Sequence, residues 1–80
     1  MSDDIISTHL RVNGVRNDDD VREALQLLFD VFAVQELGQA TFEITDDDLA
    51  GLWVKHKAHV HPDVEALNRA LEKSGRFRIV

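Results

Sequence analysis

The sequence predicts an α+β domain whose elements follow the order β-α-β-β-α-β. Four segments alternate apolar and polar residues, as strands that are buried on one side do. Two other segments repeat apolar residues at the spacing of an amphipathic helix. A single antiparallel sheet with both helices on one face buries all of these apolar stripes together.

The first strand lies within THLRVNGV, residues 8–15. Leu10 and Val12 point to one face of this strand, and the polar residues that alternate with them point to the other. Gly14 ends the strand, because glycine favours a turn over extended backbone.

The first helix covers residues 17–32. Its apolar stripe consists of Val21, Leu25, Leu28 and Phe32, widened by Ala24 and Phe29. Asn17 or Asp18 can cap the first turn, because a short side-chain oxygen accepts a hydrogen bond from a free backbone amide there. Gly38 is the latest point at which this helix can stop.

The middle of the chain contains one clear strand and one ambiguous segment. Residues 39–45 alternate as a strand, with Ala40, Phe42 and Ile44 on one face, and the aspartates that follow form a turn. Residues 49–60 fit either a strand or a helix. The strand would place Ala50, Leu52, Val54, Ala58 and Val60 on one face, whereas the helix would use Leu49, Leu52, Trp53 and His56. We favour the strand, because Gly51 and the β-branched Val54 both disfavour a helix.

The second helix lies within residues 61–75, with Pro62 in its first turn and Gly75 after its end. Its apolar stripe consists of Val64, Leu67, Ala70 and Leu71. The last strand, residues 76–80, has Phe77 and Ile79 facing inward and Arg76 and Arg78 facing outward.

Length and composition narrow the class of protein. Residues 1–80 form one domain, and 44% hydrophobic with 30% charged residues is the balance of a folded chain. The lack of cysteine excludes disulfides, iron–sulfur clusters and thiolate metal sites. No apolar run approaches the roughly 20 residues of a membrane span. The acidic start, residues 1–4, is unlike a secretory signal, so we expect a cytoplasmic protein.

Two stretches at the ends of the chain carry a resemblance to a known family. The opening LRVNGV and the closing LNRALEKSGRFRI are similar to the two ends of the heavy-metal-associated domain of copper chaperones. The β-α-β-β order between them agrees as well, so the resemblance covers nearly the whole chain. It implies a ferredoxin-like sandwich.

The specific metal-binding signature of that family lacks both of its cysteines here. In the family, a glycine and a methionine precede two cysteines that are separated by two residues. The glycine position is Gly14 and the methionine position is Val15, whereas the cysteine positions hold Asn17 and Asp20. Because soft ions such as Cu(I) select sulfur ligands, we expect no tight Cu(I) binding.

Carboxylates offer one alternative site for a divalent metal ion. In a ferredoxin-like fold the aspartate triplets at 18–20 and 46–48 lie at the same edge of the sheet. Oxygen ligands such as Asp18 and Asp20 suit Ca²⁺ or Mg²⁺. The competing interpretation is that the first triplet caps a helix and the second forms a solvated turn.

The motif HKAHVH, residues 56–61, offers a second candidate metal site. In a strand, His59 and His61 lie on one face, where both imidazoles could reach Zn²⁺ or Ni²⁺, while His56 points the other way. Such a pair needs a further ligand, from Asp63 or from another chain. The competing interpretation is that both are surface histidines at a strand end.

The uncovered face of the sheet is predicted to be basic, although the formal net charge of the chain is −6. By strand alternation it collects five of the nine basic residues and the one tryptophan: Arg11, Lys55, Lys57, Arg76, Arg78 and Trp53, with His9 and His59. Glu43 is the only acid placed there. Many RNA-binding modules of this topology use the same face and stack bases on aromatic side chains. The face therefore fits RNA, an anionic protein partner or self-association, and a merely solvated face is the alternative.

The sequence shows no pattern typical of an enzyme. It has no glycine elbow, no phosphate-binding loop and no acid pair in an apolar setting. A small domain with one sheet and two helices also offers little concave surface for a substrate. We therefore expect a non-catalytic binding module.

Overall fold

A computed structural model describes residues 4–80 and confirms the predicted α+β, ferredoxin-like fold. The elements are β1 (Ile5–Asn13), α1 (Asp18–Val34), β2 (Ala40–Ile44), β3 (Leu49–Lys57), α2 (Val64–Glu72) and β4 (Arg78–Ile79). The strands form one antiparallel sheet in the order β2-β3-β1-β4. Most of the acidic start that argued against a secretory signal lies outside the described residues.

The hydrophobic core lies between the helices and the inward side of the sheet. Its fully buried side chains come from every layer and include Val12, Leu52, Val54, Leu67 and Leu71. On β3 the inward positions are buried and the residues between them are exposed, with Gly51 as the one exception. This alternation fixes which side chains face away from the helices.

Residues 49–57 form a strand. This confirms the prediction made from Gly51 and Val54, which both disfavour a helix. This strand lies between β1 and β2 and pairs with both, from Ile5↔Lys57 to Asn13↔Leu49 on one side. It ends at Lys57, three residues earlier than predicted. The chain turns there, and the Val60 amide donates to the Lys57 carbonyl at 2.9 Å.

The loop between β1 and α1 depends on glycine at position 14. Gly14 has a φ of +101°, and a Cβ there would lie 1.9 Å from the backbone carbonyl oxygen of Arg76. Val15, which follows, is completely buried. The Gly14 amide donates to the Asp48 carbonyl at 2.7 Å, so this loop meets the β2–β3 turn at one edge of the sheet, as the topology predicted.

Both helices begin with a side-chain cap. Asn17 Oδ1 accepts a hydrogen bond from the Asp20 amide at 2.9 Å, as expected for an N-cap. In α2 the cap is Asp63, which accepts from the Ala66 amide at 3.2 Å. Pro62 therefore lies before the cap, two residues ahead of the first helical position, and the prediction that placed it in the first turn is wrong.

The end of α1 contains a left-handed residue that is not glycine. Glu36 has a φ of 58°, and the Leu37 amide donates to the Phe32 carbonyl at 2.9 Å, as in a Schellman motif. This turn ends α1 before the predicted latest stop, Gly38. Within residues 4–80, neither helix is both long and apolar enough to cross a membrane.

Candidate binding surface on the open sheet face

The side of the sheet that faces away from the helices is formed by alternate residues of the four strands. We call it the open face. Its side chains are Ile5, Ser7, His9, Arg11 and Asn13 of β1, Leu49, Gly51, Trp53, Lys55 and Lys57 of β3, Thr41 and Glu43 of β2, and Arg78 of β4. Four of these residues are lysine or arginine and one is acidic.

Five of the predicted partner-binding residues lie on the open face: Arg11, Trp53, Lys55, Lys57 and Arg78. The strand register sets their mutual positions. Arg11 is opposite Gly51 of β3. Arg78 of β4 is opposite Asn13, which lies on β1 two residues after Arg11. Because neighbouring strands lie about 4.8 Å apart, these side chains form one continuous patch.

Arg76, the sixth predicted residue, does not join this patch. The strand β4 contains only Arg78 and Ile79, so the alternation that placed Arg76 on the open face does not reach it. Its guanidinium instead turns to α1, where Nη1 lies 3.0 Å from Asp20 Oδ1 and Nη2 contacts Glu23.

The lysine and arginine side chains differ in whether they form ion pairs. Near the start of α1 the arginines are paired with acids: Arg16 with Asp48 at 2.8 Å, Arg22 with Asp19 at 3.5 Å, and Arg76 with Asp20 and Glu23. On the open face, Arg11, Lys55 and Arg78 form no salt bridge with any residue from 4 to 80. Arg69 and Lys73, at the end of α2, form none either. The open face differs in that its unpaired positive charges share one side of the sheet with a single acid, Glu43.

An aromatic pair lies in the middle of the open face. His9 and Trp53 are cross-strand partners, and their rings stack with centroids 4.0 Å apart and planes 16° apart. The indole remains 38% exposed. The pair thus presents a preformed π surface between Lys55 on one side and Arg11 on the other.

A shallow depression borders His9, and no pattern in the sequence predicted its shape. Gly51 carries no side chain, and the His9 ring leans over it, so that a Cβ on Gly51 would lie 2.8 Å from His9 Nε2. The depression has a volume of about 360 Å³ and is lined by His9, Arg11, Thr45, Leu49, Ala50 and Gly51. An isolated glycine inside a strand often marks such a close approach, and Gly51 was the available signal.

The aspartates proposed as metal ligands have other partners. The Asp20 side chain is buried and accepts from the Arg16 amide at 3.1 Å and from Arg76 Nη1 at 3.0 Å. Asp18 is exposed in the first turn of α1. The two triplets do share one edge of the sheet, but there Asp48 pairs with Arg16.

The histidines of HKAHVH are not arranged as a strand pair. Because β3 ends at Lys57, His59 lies in a turn and His61 in the loop before α2, so strand alternation does not place them side by side. His56 does point inward, as predicted, and is 3% exposed with its Nε2 2.7 Å from the Thr8 hydroxyl. Among the described residues, no cluster of three or more His, Asp or Glu side chains is suited to a metal ion.

Comparisons with protein-family models, with curated proteins and with solved structures found no match for this chain. The resemblance to the heavy-metal-associated domain therefore rests on the sequence pattern alone.

Proposed function

We propose that this protein is a non-catalytic binding module that holds an anionic partner on its open face. One observation carries the proposal: three basic side chains without an acidic partner share the open face with an exposed tryptophan, on an otherwise acidic molecule. These side chains are Arg11, Lys55 and Arg78. The formal net charge of the chain is −6, so this positive surface is a local feature.

The physical basis of the proposal is the repulsion among these like charges. Arg11 and Arg78 lie on adjacent strands and are offset by two residues of register. Such diagonal neighbours are about 7–8 Å apart, comparable to the roughly 8 Å over which physiological salt screens exposed charges. An anionic partner would relieve this repulsion. The local field would also steer such a partner to the open face despite the opposing net charge.

Trp53 gives the surface an anchor. It lies on β3, one of the two central strands of the sheet, and is 38% exposed beside His9. Large aromatic side chains near the centre of a surface contribute disproportionately to binding free energy. A large, partly exposed aromatic side chain at the centre of a face is more typical of a binding surface than of a merely solvated one.

Metal binding has less support than partner binding as the function of this protein. The Asp20 carboxylate is already bonded to Arg76 and to the Arg16 amide, and the strand argument for pairing His59 with His61 does not hold. We infer that the likeness to heavy-metal-associated domains lies in the architecture. Gly14 supports it, because that glycine meets the Arg76 backbone in the loop where the family has its cysteines.

The intrinsic fluorescence of the protein offers a direct test. Trp53 is the only tryptophan and the chain has no tyrosine, so the emission comes from the open face. We expect at least one of three anionic polymers, polyglutamate, polyphosphate or a single-stranded oligonucleotide, to change this emission at low salt. Raising the salt concentration should reverse the change.

A matched pair of charge reversals locates the binding. Lys55→Glu with Arg78→Glu should abolish it. Arg69→Glu with Lys73→Glu, the same change in charge on α2 and its C-cap, should leave most of it intact. Equal losses in the two double variants, or no response to any of the three polymers, would contradict the proposal.

A further inference from the structure

We infer that the anionic partner is a single-stranded nucleic acid, one base of which stacks on His9 in the depression that His9, Arg11 and Leu49 line beside Gly51. This inference rests on the proposed function and adds the chemical class of the partner. It requires an aromatic surface with a free side, a space for a planar ring and positive charge around that space. The open face provides all three.

The free aromatic side is that of the imidazole. His9 stacks on Trp53 and also lines the depression, whereas Trp53 does not line it. The indole therefore covers one side of the imidazole, and the other side borders the depression. A base stacked there would extend the pair to three parallel rings, and such stacking tolerates any base.

The space for the base lies beside the His9 imidazole, because the imidazole itself occupies the room that the missing side chain of Gly51 leaves. This residue lies at the centre of a row across three strands, with Glu43 on β2 and Arg11 on β1 as its neighbours. The depression of about 360 Å³ exceeds the volume of a nucleobase. Leu49 supplies apolar lining, which suits the ring of a base better than a charged side chain does.

The positive charges lie where a phosphate backbone would pass. Arg11 lines the depression itself, and Lys55 lies beyond Trp53 along β3. Arg78 lies on the opposite side, across from Asn13. A strand that follows β1 and β3 would therefore meet positive charge before, beside and after the stacked base.

Other polyanions satisfy only part of this arrangement. An acidic peptide such as polyglutamate would neutralise the lysine and the arginines, but its side chains carry no ring that could fill the depression. A duplex offers phosphates, but its bases are stacked on one another and cannot enter. Charge complementarity together with the exposed side of the His9 ring therefore favours a single strand.

The test compares two ligands that differ only in their bases. A fluorescein-labelled deoxythymidine decamer and an abasic decamer with the same number of phosphates are titrated into the full chain, and fluorescence anisotropy is followed. We expect the decamer with bases to bind about tenfold more tightly, the scale of one base–aromatic stack. Contacts to three phosphates predict a slope of log K against log salt of about −2.

Variants of His9 and Trp53 test whether these two side chains cause the difference in affinity between the two decamers. His9→Ala and Trp53→Ala should remove most of the preference for bases while leaving the affinity for the abasic decamer nearly unchanged. That retained affinity also shows that each variant is folded. Ser7→Ala, on the same face of β1 but away from the depression, serves as the control and should keep the preference.

The outcomes separate this inference from the proposed function. Equal affinity for the two decamers, or tighter binding of polyglutamate that Lys55→Glu with Arg78→Glu abolishes, overturns the inference and leaves the proposed function standing. Failure of every anionic ligand to bind the open face overturns both.

Discussion

His9 on β1 stacks on Trp53 of β3 with the ring centroids 4.0 Å apart. The Nε2 end of the His9 ring also lies close to Gly51, which is on the same strand as Trp53. The three residues therefore form one unit, in which the glycine makes room for the imidazole and the imidazole supports the indole. Because the rings are already ordered, a ligand that stacks on them does not have to order them first.

Gly51→Ala should break this unit without unfolding the sheet. The new methyl group would lie 2.8 Å from His9 Nε2, and the imidazole, as the end of a side chain, can move away. We expect changed Trp53 emission and a change in the free energy of unfolding within about 1 kcal/mol, since the lost stack and the better strand propensity of alanine oppose each other. Circular dichroism and denaturant titration measure both fold and stability.

A double-mutant comparison controls this prediction. In a His9→Ala background the stack is already gone, so Gly51→Ala should have little further effect on Trp53 emission. A full emission change in that background would show that Gly51 acts on Trp53 without His9.

Arg76→Met should destabilise the fold by about 1–2 kcal/mol. The substitution keeps an apolar stem but leaves the buried Asp20 carboxylate without its guanidinium partner, although the Arg16 amide still donates to it. The comparison is Arg22→Met, which breaks only an exposed pair with Asp19 and should cost less than about 0.5 kcal/mol. Equal costs in urea unfolding would mean that Arg76 contributes no more than a surface ion pair.

Two glycines with positive φ should respond very differently to alanine. At Gly14 a Cβ would meet the Arg76 carbonyl oxygen at 1.9 Å, so the backbone has to move, and we expect a loss of at least about 3 kcal/mol. At Gly75 the φ is +77° but no atom lies within 4 Å, so Gly75→Ala should cost only about 1 kcal/mol. Thermal unfolding of the two variants gives the order directly, and a reversed order would contradict the close approach at Gly14.

Glu36→Gly should stabilise the protein by about 1 kcal/mol. Glu36 has a φ of 58°, a left-handed conformation that strains any residue with a Cβ. Glycine removes this strain, whereas Glu36→Ala keeps the Cβ and should bring no comparable gain. If both substitutions raise the midpoint of urea unfolding equally, the charge of Glu36 and not its backbone is the cause.

Strand alternation explains how much of the open face could be predicted from the sequence. A period of two residues placed Trp53 and Lys55 outward and Val54 inward, because one side of the sheet has to be buried. The same period failed at His59, since nothing in the local pattern marks Lys57 as the last paired residue. Where a strand ends depends on its partners, and these come from distant parts of the chain.

Long-range contacts account for the remaining differences. Arg76 pairs with Asp20, which lies 56 residues earlier in the chain, so no local pattern predicts that it turns away from the sheet. The depression beside Gly51 likewise requires the register between β1 and β3, which brings His9 over the glycine. The residue types of this surface could be predicted from local alternation, whereas its shape depends on contacts between distant parts of the chain.

Amide chemical-shift mapping tests the central claim most directly. A ¹H–¹⁵N spectrum of the labelled protein is recorded while the unlabelled deoxythymidine decamer is added at low salt. We predict the largest shifts at residues 9, 11, 51, 53, 55 and 78, all on the open face. Shifts confined to residues 17–20 and 46–48, or to residues 59–63, would place binding at the aspartate edge or at the histidine loop and contradict the account.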